Sequence, residues 1–254
     1  MQNTTAVNTV VPVVQKTATE QVVDPNVPIL PANNAAQGEY HPNYTNMTFA
    51  DYINDPFTQH RLRQLLSFAN PAKNRFNIGL FADNTKWAAP PPGSRGLGAE
   101  RMLSIGTTPA VCWIIGTVRF IQTKNRRFVI GVEPLSVHDN ACAKAIQYGK
   151  ARPSQSAPGK SQLVYASKFL NNGVFDETYD ATDDLYAWSE MQDNKISYRH
   201  IRQTNVVLLE CLIRRYTPAN AASNNAWSTF SIAFELARIA HLGISSGIPD
   251  YLPD

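Results

Sequence analysis

A chain of 254 residues with 43% hydrophobic content can bury a substantial core, while 17 prolines and 13 glycines among many Asn, Thr and Ala favour short strands over a helical bundle. No long uninterrupted apolar run occurs, so a transmembrane helix is not expected and no membrane partner is assigned. The opening MQNTTAVNTV also lacks the basic and apolar regions of a secretory signal.

The formal net charge of +3 hides an asymmetry. Residues 1–56 carry one basic and five acidic side chains, and residues 57–175 carry sixteen basic and four acidic. Residues 176–193 hold seven acidic side chains and no basic ones, and residues 194–254 hold six basic and four acidic. The local excess of +12 fits an anionic partner. The plainer alternative is a solvated surface balanced by the acidic segment next to it. Three separated cysteines, Cys112, Cys142 and Cys211, form neither a CxxC pair nor an even disulfide set. Cys112 and Cys211 sit in apolar strand patterns and read as buried, reduced thiols, which suits an intracellular setting, nucleus or cytoplasm.

Along the chain, residues 1–40 read as a disordered arm in which Pro12, Pro25, Pro28 and Pro31 interrupt each apolar cluster. Residues 41–104 read as a helical and looped preface packed on the main domain. Thr48 or Asp51 could cap a turn, and residues 56–68 suit an amphipathic helix with Leu62, Leu65, Leu66 and Ala69 on its buried face, ended by Asn70-Pro71. Residues 76–81 read as a short strand, 90–93 as a loop and 99–103 as one helical turn.

The main domain spans residues 105–254 and opens on a long hairpin, residues 110–136, with a basic tip. Pairing Val118 with Val132 and Phe120 with Ile130 puts four apolar residues on one face and leaves Lys124-Asn125-Arg126 as a three-residue loop. Phe120 and Phe128 are then expected inside, with Arg119 and Arg127 facing outward. Residues 139–148 read as a helix with Ala141, Ala145 and Tyr148 on one side and Gly149 at its end. A basic loop follows at 149–161, then a strand at 163–169, a turn at Asn171-Asn172-Gly173 and an acidic surface loop at 176–193. Residues 205–216 alternate as a strand with Val207, Leu209, Cys211 and Ile213 inward. Residues 227–242 fit a strand or a helix, and the β-branched and aromatic first half favours strand.

Catalytic and metal motifs are weak. Gly243-Ile244-Ser245-Ser246-Gly247 matches GxSxG, but Pro249 follows at once and no histidine comes after it. Gly93–Gly98 lacks a phosphate-loop ending. His41, His60, His138, His200 and His241 show no metal-ligand spacing. Cys142 lies four residues past His138, where a Cys–His nucleophile competes with a plain buried cysteine. No catalytic residue, metal or cofactor is assigned.

The run Gly116-Thr117-Val118-Arg119-Phe120 into Phe128–Val132, with the strands at 163–169, 206–216 and 229–239, resembles an OB-fold. The likeness is to single-stranded nucleic-acid-binding modules of the replication protein A type. It implies a mainly β, OB-like Greek-key barrel that binds one strand of DNA or RNA, without enzymatic activity, through a charged groove and aromatic platforms. Such folds commonly carry a helix between the third and fourth strands, whereas the helix at 139–148 follows the second. Mapped onto this chain, the groove comprises Arg119, Thr123, Lys124, Arg126 and Arg127, extended by Lys168, Arg214 and Tyr216. Trp113 or Tyr216 would be an exposed stacking ring. A second reading is a viral coat or other self-assembling structural protein with a jelly-roll body, located in a virion, since the floppy arm and β-rich composition suit that class. Self-association is left open under either reading.

Overall fold

The computed structural model describes residues 40–81, 84–87, 101–157, 162–171, 173–183, 190–217 and 227–245. The expected arm lies outside these residues except for Tyr40, as do the loop at 90–93 and Ser246-Gly247 of the GxSxG match. The fold is mainly β. No helix among the described residues is long and apolar enough to cross a membrane, which says nothing about crossing by strands.

The preface begins with α1 (Pro42–Thr45) and α2 (Pro56–Leu66). Asp55 caps α2: its carboxylate accepts from the Thr58 N–H at 2.7 Å, and Pro56 occupies the first helical position, where no N–H is needed. Leu62, Leu65 and Leu66 form the buried face as expected. The helix ends at Leu66, before Asn70-Pro71, and exposed Ala69 instead starts a short strand. That strand, β1 (Ala69–Asn70), pairs with β2 (Arg75–Asn77) around the left-handed Asn74. The strand expected at 76–81 therefore stops at Asn77, and residues Ile78–Leu80 form a 3-10 turn. A separate small sheet joins β3 (Lys86–Trp87), β4 (Leu103–Ile105) and β5 (Thr108–Pro109). Leu103 is thus strand, not the end of a helical turn.

Five strands close into a barrel. They are β6 (Val111–Lys124), β7 (Arg127–Pro134), β8 (Val164–Phe169), β10 (Asn205–Tyr216) and β11 (Ser231–Ser245). The ring runs β6-β10-β11-β8-β7 and returns to β6. The β8–β11 seam is parallel and spans two residue pairs, Phe234 with Ala166 and Glu235 with Ser167. The other seams are antiparallel. The strand choice for residues 227–242 holds, and β11 extends to Ser245. The acidic segment is not simply a loop: β9 (Thr178–Asp180) adds to β11 with Tyr179 fully buried.

Strand alternation makes two cores. Ile114, Val118, Phe128, Ile130, Val207, Leu209, Ile213, Phe234 and Leu236 fill the barrel. The intervening residues of β6 and β10, Trp113, Ile115, Val206 and Leu208, face outward, where Tyr44, Phe49, Ile53 and the leucines of α2 cover them. Between β7 and β8 lies α3 (Val137–Lys144), continued by a π-helical turn (Ala145–Gly149). Its inner face is Asp139, Ala143 and Ile146 rather than Ala141, Ala145 and Tyr148.

The hairpin register departs from expectation at one residue. Val118 pairs with Val132 as expected, but Phe120 pairs with Gly131 and Ile121 with Ile130, so Arg119 is an extra residue in a bulge. The bulge swaps the faces beyond it. Ile121 packs against the barrel core, and Phe120 turns to the outer face. The extra residue also shortens the loop to Asn125-Arg126, with φ of 51° and 57°, the positive pair a type I′ turn requires.

Candidate nucleic-acid interface

The outer row of β8 is Tyr165, Ser167 and Phe169, opposite the buried Val164 and Ala166. Tyr165 is 43% and Phe169 69% exposed, high for such large rings on a central strand. Each belongs to its own row across the strands. Phe120, Gly131 and Tyr165 lie side by side in register on β6, β7 and β8. A Cβ on Gly131 would come within 2.8 Å of the Tyr165 ring, so glycine is what lets that ring lie across β7. There it meets Phe120 edge-to-face at 5.9 Å between centroids.

The second row, through Phe169, Arg127 and Lys124, is basic. Arg127 pairs in register with Phe169; its guanidinium lies 5.6 Å from the Phe169 ring centre, and Nη2 donates to Ser167 Oγ at 2.8 Å. The I′ turn places Lys124 and Arg126 beside it, both exposed. Thr123 is also exposed, and hydrogen bonds with Thr123 and Arg199 hold the Tyr198 phenol below its ordinary range.

The remaining expected residues are placed differently. Arg119, in the bulge, forms a half-exposed ion pair with Glu133, Nη2 to Oε2 at 2.9 Å. Lys168 and Arg214 converge on Glu235, at 3.2 and 2.8 Å. Burial pushes the Glu235 carboxyl up, but the hydrogen bonds from Arg214 and Lys168 outweigh it and hold the group below its usual range. Tyr216, at the end of β10, is 45% exposed. Trp113 is corrected: it is fully buried, stacked on Phe68 at 4.1 Å, and its Nε1 donates to Glu210 at 3.1 Å. It offers no face to a base because the preface covers the outer side of β6.

The sequence reading missed Phe120, Tyr165 and Phe169. For the two β8 rings a signal existed: Val164 and Ala166 alternate with Tyr165, Ser167 and Phe169, so one face was available to project aromatics. For Phe120 none existed, since its face depends on the bulge. The sequence matches no protein-family model and no curated protein.

Proposed function

We propose that the chain is a non-enzymatic binder of single-stranded nucleic acid, built on an OB-like Greek-key barrel, with the strand lying along the outer face of β6, β7 and β8. The carrying observation is the pair of exposed rings on β8, Tyr165 and Phe169, with Arg127 against the second and Lys124 and Arg126 beside it. Rings give stacking platforms to unpaired bases, and the cations track the backbone. Four residues of strand set the two rings about 13 Å apart, so they serve different bases. Taken in chain order, the barrel strands close as first, second, third, fifth and fourth, with third and fifth parallel, which supports the OB reading. The helix after the second strand is its departure from that pattern. Arg119, Lys168 and Arg214 already have carboxylate partners, so their contribution to phosphate contact is smaller than that of the tip.

The test is fluorescence anisotropy with a labelled oligo-dT and a duplex of equal length, from low to moderate salt. The single strand binds more tightly. Tyr165→Ala with Phe169→Ala weakens it at least about 30-fold, from about 1–3 kcal/mol for each of the two stacked bases. Replacing Lys124, Arg126 and Arg127 by Ala together flattens the log–log salt slope by about 2, at roughly 0.7 per phosphate contact. No binding at low salt, or binding indifferent to both sets of substitutions, overturns the proposal.

A further inference from the structure

An open cavity of about 700 Å³ lies between the preface and α3, away from the β8 face, lined by His41, Asn43, Ile78, Gly79, His138, Cys142 and Lys150 among others. That volume is in the range of small-molecule sites. Cys142 and His138 are four residues apart on α3 and so share one face of the helix. The Cys142 sulfur is 3.6 Å from His138 Nε2, and Cys142 is half-buried. The same nitrogen lies 2.9 Å from the Asn43 side-chain amide and 2.9 Å from the Gly79 carbonyl oxygen. The two contacts serve different states of the ring. When neutral, Nε2 offers one lone pair, within reach of both the Asn43 amide and the thiol. When protonated, it donates to the Gly79 carbonyl, which stabilises a proton on that nitrogen beside a thiolate.

The other cysteines differ. Cys112 and Cys211 are fully buried in the barrel, and burial pushes both thiols well above their ordinary value. We infer that Cys142, with His138 as its proton acceptor, is a reactive thiol that exchanges with low-molecular-weight disulfides entering this cavity. His138 Nε2 takes the thiol proton, and the Cys142 sulfur attacks one sulfur of the incoming disulfide. The old S–S bond breaks as a new one forms to Cys142. The departing half leaves as a thiolate and collects the proton from His138, so no outside oxidant is consumed. Other charged or titratable groups around the pair are His41 and Lys150 on the cavity wall, and Asp139 and Tyr44 in the buried network under α3.

The test uses the full chain and two probes, iodoacetamide and oxidised glutathione, with peptide mapping by mass spectrometry. The alkylation rate of Cys142 should rise with pH through a midpoint at least about one pH unit below the 8.5 of an ordinary thiol. Oxidised glutathione should yield a mixed disulfide at Cys142 while Cys112 and Cys211 stay unmodified. His138→Gln, whose amide can keep the Asn43 and Gly79 contacts, should cut both rates about tenfold at neutral pH and move the midpoint up to that of an ordinary thiol. A wild-type midpoint at or above 8.5 overturns the inference, and needs no variant to fold. So does a profile that His138→Gln leaves unchanged, or a folded chain that forms no mixed disulfide at Cys142.

Discussion

Asp139 offers a direct measurement of what burying a carboxylate costs this fold. It is fully buried at the first turn of α3, where the Tyr44 hydroxyl donates to Oδ1 at 2.6 Å and also reaches Asn77 Oδ1 at 3.0 Å. Desolvation pushes its pKa up from 3.8 to about 6, against the Tyr44 hydrogen bond, the nearby Asn77 amide and His138, which pull it down. A carboxyl whose folded value is raised gives stability that is present below 3.8 and is lost as pH rises through about 6. The gap corresponds to about 3 kcal/mol. Asp139→Asn keeps an oxygen to accept from Tyr44 but removes the ionisation. The assay is urea unfolding, followed by tryptophan fluorescence, to which buried Trp113 contributes, for both chains at pH 4 and pH 7.5. The variant should gain on the wild type by about 2 kcal/mol between the two pH values, since a fraction of the effect has already passed by pH 4, whatever fixed cost the amide carries. Glu177, Asp180 and Glu235, held below their ordinary ranges, act in the opposite sense, losing stability as pH falls. They are common to both chains and cancel in the difference. A stability difference that does not change with pH would refute the argument.

Two further outcomes follow from the geometry. Arg126 sits at φ 57°, a conformation that glycine adopts without strain, so Arg126→Gly should raise stability by up to about 1 kcal/mol in urea titrations while lowering the salt slope of oligo-dT binding by about 0.7. Arg215, at the end of the inner row of β10, is 9% exposed, with its guanidinium 4.1 Å from the Trp227 ring, 5.0 Å from Trp87 and 5.4 Å from Phe230. Arg215→Ala should cost about 2 kcal/mol or more, and Arg215→Lys should recover part of it; an Ala variant as stable as wild type would show that the aromatic cluster closes the barrel end without the cation.

Much of the fold is written in local pattern. The alternation of β10, the buried leucines of α2, the apolar strands of the hairpin and the strand at 163–169 all follow from side-chain period. What decides each of these is a repeating preference of neighbouring residues, so no distant contact is needed to read it. The acidic segment shows the limit: Thr178–Asp180 is too short to stand out, and it is a strand because β11 provides an edge for it.

The site divides along the same line. The basic tip, Lys124, Arg126 and Arg127, was legible because turn residues and charges are local. The fate of Trp113 was not. An apolar strand residue is buried wherever something covers its face, and only the docking of α2 and Phe68 on the outside of β6 decided that a second core lay there. Phe120 depended on one extra residue at Arg119. A bulge reverses every side chain beyond it, and this one lies in the pairing of β6 with β7, past the end of the β6–β10 pairing at Thr117. Sequence by itself determined the long strands of the barrel and where the charge gathers. Tertiary structure decided which rings face the solvent, because facing depends on register and cover, and both are properties of the closed barrel.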